Sequence, residues 1–223
     1  MEFRSFAGES MEEKQNRVNK IIDTLRSEYP DARCSLDHTN PFELSVATIL
    51  SAQCTDKRVN KVTESLFEKY PTPADFATAD QSELEQDIRS TGFYRNKAKA
   101  IKGFAAQVVE RFNGAVPEHI EELTDLPGIG RKTANVIRGV AFEVPGIVVD
   151  THVKRISRRL GLTEESDPEQ IEYDLEELLP RSDWIDWAHL IIDHGRAVCK
   201  ARNPACRECV LLEFCPAGQD QKA

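Results

Sequence analysis

The stretch Leu123-Thr124-Asp125-Leu126-Pro127-Gly128-Ile129-Gly130-Arg131-Lys132-Thr133-Ala134-Asn135-Val136-Ile137-Arg138-Gly139 carries one sharp interruption in an otherwise helical pattern. Pro127-Gly128 stops a short helix, and a second helix begins after Gly130. Two glycines within three residues let the backbone turn tightly and bring several N–H groups to one side. At a helix N-terminus such groups form a site for a phosphate oxygen. A helix–hairpin–helix of this kind holds DNA by its backbone without reading the bases. Gly-x-Gly alone also describes a plain helix–helix turn; Leu126 before it and Arg131-Lys132 after it favour the phosphate-binding form.

Working outward, proline and glycine divide the chain into helix-sized pieces. Val18, Ile21, Ile22 and Leu25 share one face of a helix starting near Glu12. Asn40-Pro41 reads as an N-cap followed by proline at the first helical position, opening a helix with Leu44, Val46, Ile49 and Leu50. Thr55 or Asp56 caps a third helix through Val59, Val62, Leu66 and Phe67. Further helices are expected at about 80–90, 95–112, 117–124, 130–142 and 150–160, from Asp167-Pro168 through Leu179, and from Ser182 to Val198. Period-two alternation is nearly absent, and Ile147-Val148-Val149 is too short to change the class. The fold class is all-α, with ragged ends at 1–10 and 216–223.

Hydrophobic residues make up 40% of the 223 and charged residues 30%, which describes a well-solvated globule with a core of ordinary size. No apolar run approaches the roughly 18 residues of a membrane span. Met1-Glu2-Phe3-Arg4-Ser5 lacks the basic patch and apolar stretch of a secretory leader. A cytoplasmic monomer is expected, with no long exposed apolar stripe left for a partner.

The net charge of −9 argues against a phosphate-binding surface until its distribution is examined. Residues 89–103, 126–159 and 194–209 together hold sixteen basic and three acidic residues, and the rest of the chain thirteen basic and thirty-five acidic. Single windows of this kind arise by chance on solvated faces. Three that coincide with the motifs of the chain describe a positive surface facing nucleic acid. The acidic remainder fits adaptation to a salty cytoplasm.

Cys199-x6-Cys206-x2-Cys209-x5-Cys215 places four cysteines within 17 residues. A reducing cytoplasm disfavours disulfides, which leaves a four-cysteine zinc site or an iron–sulfur cluster as readings of the pattern. Cys34 and Cys54 read as ordinary buried thiols. Lys132 by residue type alone is a phosphate-binding lysine, and Asp150 alone is the N-cap of a helix running through Arg155.

Taken together, Leu126-Pro127-Gly128-Ile129-Gly130-Arg131-Lys132-Thr133-Ala134-Asn135, Val149-Asp150-Thr151-His152-Val153, Leu50-Ser51-Ala52-Gln53-Cys54-Thr55-Asp56 and the cysteine spacing resemble the endonuclease III family, over residues 12–215. The resemblance implies two helical domains with an interdomain cleft: a six-helix barrel at 35–146, and a discontinuous cluster domain from 1–34 and 147–223. It implies a bifunctional DNA glycosylase and abasic-site lyase acting on duplex DNA with a damaged base or an abasic site, and a [4Fe–4S] cluster on Cys199, Cys206, Cys209 and Cys215. Gly128, Gly130 and Arg131 would hold DNA, together with Lys200 and Arg202 in the cluster loop.

The chemistry explains the implied catalytic pair, Lys132 and Asp150. A lysine amine attacking sugar C1′ displaces the base and leaves a Schiff base, from which β-elimination cuts the strand 3′ to the lesion. At a pKa of about 10.4 only roughly one lysine in 2,500 is neutral at pH 7. Partial burial of Lys132, the positive helix end and Arg131 are expected to favour the neutral form. Asp150 is suited to stabilise positive charge on the sugar and to assist proton transfer. Adenine-mismatch relatives, which only remove bases, lack the lysine. In the family a glutamine matching Gln53 fills the gap left by the extruded nucleotide. Phe93, where leucine is common, either wedges from the other side or closes a hydrophobic core. Asp56 caps its helix or contacts the lesion, and His152 lines the pocket or supports Asp150. Oxidised pyrimidines are the expected lesion; pyrimidine dimers, mismatched bases, or a non-catalytic iron–sulfur DNA-binding or redox protein are the alternatives.

Overall fold

The computed structural model describes Phe6 and residues 8–220. Met1–Ser5, on which the absence of a secretory leader was read, lie outside the described residues, as do 221–223. Among the described residues there are helices and connecting loops and no strand, and no helix is long and apolar enough to cross a membrane. Ile147, Val148 and Val149 are buried without forming a strand. The chain divides into two compact units, residues 35–144 and residues 1–34 with 145–223.

The contiguous unit carries α2 (Pro41–Ser51), α3 (Asp56–Lys69), α4 (Pro73–Thr78), α5 (Gln81–Asp87), α6 (Tyr94–Phe112), α7 (Ile120–Thr124) and α8 (Arg131–Phe142); the discontinuous unit opens with α1 (Met11–Glu28). Asn40 caps α2 by accepting from the Glu43 amide, with Pro41 at the first position. Phe42 and the seven consecutive residues from Leu44 to Leu50 are buried, so α2 is the centre of this unit. Helices α3, α6 and α8 pack around it. Phe42, Phe76 and Phe104 form the aromatic heart, with Phe42 stacked on Phe104 at 5.5 Å and tilted on Phe76 at 5.4 Å. Phe76 comes from α4, which packs along α6 and which the sequence reading did not anticipate. Its signal was a capping box, with Thr72 and Asp75 exchanging hydrogen bonds and Pro73 at the first position. Thr55, not Asp56, caps α3; the Asp56 carboxylate instead accepts from the Ser35 hydroxyl at 2.6 Å.

The discontinuous unit combines α1 with α9 (Thr151–Arg159), α10 (Pro168–Leu178), α11 (Trp184–Ala197) and α12 (Pro216–Asp220). Val18, Ile21, Ile22 and Leu25 of α1 pack in its core with Ile171, Leu175, Trp187 and Ile191. The segments expected to be ragged are ordered where described. Ser10 and Glu13 form a capping box on α1, and the guanidinium of Arg17 pairs with Glu9 at 2.7 Å beneath the Phe6 ring. Arg17 also donates to the carbonyls of Leu160 and Phe214, at 2.7 and 3.1 Å. These bonds fasten the first helix to the end of α9 and to the chain following the third cysteine, which explains why the N-terminal helix joins a C-terminal unit.

Candidate active site and cluster loop

The hairpin between α7 and α8 is anchored by Leu126 and Ile129, both buried, with the Ile129 amide donating to the Leu126 carbonyl at 3.1 Å. Gly128 has φ +80°, and an added Cβ would stand 3.0 Å from Ala100 Cβ and 3.4 Å from Ile49 Cδ1. Only glycine fits there on both grounds. Gly130 is the N-cap of α8, with no side-chain cap bond and open space where a Cβ would lie. Gly130 thus brings no side chain of its own to the first turn of α8, the kind of helix start at which an anion can be bound. Arg131 and Lys132 occupy the first two positions of α8. Lys132 is exposed, so the partial burial expected of it is not supplied by the chain itself.

Asp150 caps α9, as residue type suggested. One carboxylate oxygen accepts from the amides of His152 and Val153, both at 2.8 Å, and the other lies 2.9 Å from His152 Nδ1. Its side chain retains 19% exposure, and a carboxylate oxygen with one partner keeps further acceptor capacity. His152 thus supports Asp150. The ring sits close because Gly195 of α11 faces it: a Cβ at Gly195 would come within 2.7 Å of His152 Cδ2 and 3.0 Å of Ile156 Cδ1.

Gln53 and Phe93 share an unusual backbone. Both are non-glycine residues in the left-handed region, with φ of 54° and 49°, and both are exposed. Such conformations cost about 1 kcal/mol or more and persist where the surrounding chain imposes them. Phe93 is 62% exposed, so it does not close a core. Part of the positive charge read from the sequence serves the fold instead. Lys97 is buried and donates to the carbonyls of Leu50 and Thr91, both at 2.8 Å, with its pKa lowered by burial. Its bonds tie the segments preceding Gln53 and Phe93 to α6. Lys102 donates to the Ala79 carbonyl.

Cys199, Cys206, Cys209 and Cys215 line one cavity, with Ile156, Leu160, Val198 and Leu211 among its walls. Burial pushes the Cys209 thiol up to about 11 and raises that of Cys215, so these sulfurs become thiolates only with a cation present. Four half-buried thiols on one apolar-walled cavity suit a [4Fe–4S] group, each iron taking one sulfur. Arg159 of α9 donates to Cys199 Sγ at 3.2 Å and to the carbonyls of Lys200 and Ala201 at 2.8 and 3.1 Å. Arg155 donates to the Cys199 carbonyl at 3.0 Å. The loop so held presents Lys200 and Arg202, both exposed. The supporting roles of Arg155, Arg159 and Lys97 were not read from the sequence; the spacing of four between the two arginines put them on one face of α9 but did not say what lay opposite. Cys34 and Cys54, expected to be buried, are half-exposed loop residues.

Buried His194, its pKa lowered to about 4 by burial, also lines the cavity, and burial pushes neighbouring Tyr29 up to about 12.

Residues 46–181 match the HhH-GPD superfamily of base excision DNA repair proteins, and residues 199–215 match the iron–sulfur binding domain of endonuclease III. Endonuclease III of Synechocystis sp. is 54% identical, over 94% of this chain and 96% of that protein. A solved non-covalent endonuclease III–DNA complex is 47% identical with a TM-score of 0.89, covering 93% of this chain and 98% of that one. A trapped endonuclease III–DNA covalent intermediate has the same identity and TM-score, covering 94% and 99%. The chain belongs to the endonuclease III family: it is a base excision repair DNA glycosylase with abasic-site lyase activity and a [4Fe–4S] cluster.

Proposed function

We propose that the enzyme removes oxidised pyrimidines from duplex DNA, with Lys132 as nucleophile and Asp150 as its acid–base and electrostatic partner. The observation that carries this reading is the placement of Lys132, an exposed amine in the first turn of a helix whose N-cap is a glycine. That turn takes a DNA phosphate, and the bound nucleotide supplies the desolvation that the chain alone does not give the amine. Lys132 attacks C1′ and the base leaves with its bonding electrons. Asp150 stabilises the positive sugar and accepts a proton as the Schiff base forms. Loss of a C2′ proton then expels the 3′ phosphate.

Gln53 and Phe93 fill the stack vacated by the extruded nucleotide. Their exposure and imposed left-handed backbones support this, since both side chains project from rigid turns. Lys200 and Arg202 contact flanking phosphates, while the cluster supplies the fold of their loop. The enzyme acts as a cytoplasmic monomer associated with the nucleoid.

The test is borohydride trapping on a duplex containing one oxidised pyrimidine, with mapping of the cross-linked peptide. The expected result is an adduct at Lys132. Absence of an adduct on that duplex and on an abasic one overturns the Schiff-base assignment, and an adduct confined to a dimer or a mismatch corrects the lesion.

A further inference from the structure

Tyr29, the residue that ends α1, reaches the cluster through one imidazole. Its hydroxyl lies 3.2 Å from His194 Nδ1, and His194 Nε2 lies 3.5 Å from Cys209 Sγ. The phenol and imidazole rings meet edge-on with centroids 6.0 Å apart. His194 is 1% exposed, so water does not take the place of either partner. We propose that Tyr29 is a positioning residue for the iron–sulfur cluster, fixing the tautomer of His194 so that Nε2–H donates to the Cys209 sulfur.

A neutral imidazole has one N–H and one lone pair. When iron binds, Cys209 is a thiolate and offers only acceptor capacity. A lone pair on Nε2 would face that negative sulfur and repel it, whereas an N–H would satisfy it. The tautomer with Nε2–H leaves Nδ1 as acceptor, and Tyr29 is the group that can donate to it. The partner on the far ring nitrogen thus decides which proton the near one carries, as a carboxylate or carbonyl does for a metal-bound histidine. An N–H bond to a cluster sulfur draws charge off the thiolate and favours the more reduced cluster. The first helix thereby sets the redox poise of a group held by cysteines about 170 residues later in the chain.

The experiment uses the iron-loaded full chain. Protein-film voltammetry reads the cluster potential, and resonance Raman in H2O and D2O reads the Fe–S(Cys) stretches. Tyr29→Phe keeps the ring and removes the donor. It is expected to move the potential to a more negative value and to reduce the D2O sensitivity of the stretch. His194→Gln supplies an amide N–H at the place of Nε2 with no need of Tyr29. In that background the potential is expected near that of the unaltered protein, and Tyr29→Phe is expected to change nothing further. An unshifted potential in Tyr29→Phe overturns the proposal. So does an equal shift from Tyr29→Phe in the His194→Gln background, because the hydroxyl would then act by another route.

Discussion

The two hairpin glycines have separable roles, and alanine at each should separate them. In Gly128→Ala the new Cβ sits on a left-handed backbone, costing about 1–2 kcal/mol. It also meets Ala100 Cβ at 3.0 Å. That methyl belongs to α6 and has no rotamer with which to move aside, so the backbone must shift, at a cost of about 1–3 kcal/mol. The sum of about 2–5 kcal/mol is a large part of the 5–15 kcal/mol typical of a folded domain. With a urea m-value of about 2 kcal/mol/M, the midpoint should fall by roughly 1–2.5 M. Gly130→Ala meets nothing within 4 Å at an ordinary φ, and a glycine-to-alanine change at an N-cap costs only about 0.5–1 kcal/mol. If the proposed phosphate site lies at the start of α8, a methyl at its N-cap crowds the approaching phosphate, and losing a charge-assisted bond would weaken DNA binding roughly tenfold or more. Urea unfolding followed by circular dichroism, and fluorescence anisotropy on a duplex with an abasic analogue, read the two effects. A Gly128→Ala protein with the unaltered midpoint would refute the packing argument. A Gly130→Ala protein of full affinity would refute the amide site.

Asp150→Asn should keep the cap of α9, since asparagine serves as well at that position, yet lower strand cutting by about a hundredfold or more; Asp150→Ala should in addition lose about 1 kcal/mol of stability. Equal cutting by Asp150→Asn and the unaltered enzyme would remove the carboxylate from the chemistry. Lys97→Met should destabilise the contiguous unit by about 1–3 kcal/mol through the orphaned Leu50 and Thr91 carbonyls, while leaving the salt dependence of DNA binding unchanged. Arg202→Gln should do the reverse, reducing the logarithmic salt slope by about 1 with no change in the urea midpoint. The Asp80 carboxyl is held below the ordinary range by the Ser82 hydroxyl and then by the Glu83 amide. Its folded pKa is depressed, so its contribution to α5 is full above about pH 4 and is lost as the pH falls through the lowered value. Carbon-13 titration giving a midpoint at or above the ordinary value would contradict the cap.

The long helices were legible because their caps are written in residue types that act locally. Asn40-Pro41, Asp150 and Asp167-Pro168 each open a helix by side-chain bonds to amides two or three residues away. Helix α4 escaped because six residues give periodicity no room to repeat, although Thr72-Pro73 and Asp75 carried a complete cap. The choice between Thr55 and Asp56 turned on Ser35, which is distant in sequence and occupies the aspartate. Long-range partners also decided which cations were structural. Lys97 looked like its neighbours Arg95 and Lys99, and only the fold brings two carbonyls to its ammonium. The exposure of Phe93 depended likewise on a left-handed turn that Gly92-Phe93 permits and does not announce. The pair proposed as catalytic, Lys132 and Asp150, rests on its motif, whereas the exposure of Lys132 could be read only from the fold.

That division bears on how an acidic protein meets a polyanion. Lys97, Lys102, Lys154, Arg155 and Arg159 all donate to backbone carbonyls. A carbonyl satisfies the hydrogen bond but does not cancel the charge, as a carboxylate would. On α9 Arg155 and Arg159 hold the backbone of residues 199–201 with their guanidinium groups, and Arg159 also donates to the Cys199 sulfur. The same two side chains therefore fix the backbone of the cluster loop that presents the exposed Lys200 and Arg202. Within a Debye length of about 8 Å such fixed charges are felt by a phosphate they never touch. Counting basic residues along the sequence consequently overstates the number of DNA contacts while giving a fair account of the local field. Carbonyl partners therefore leave Lys97, Lys102, Lys154 and Arg155 charged within a chain that carries thirty-five acidic residues outside the three basic windows.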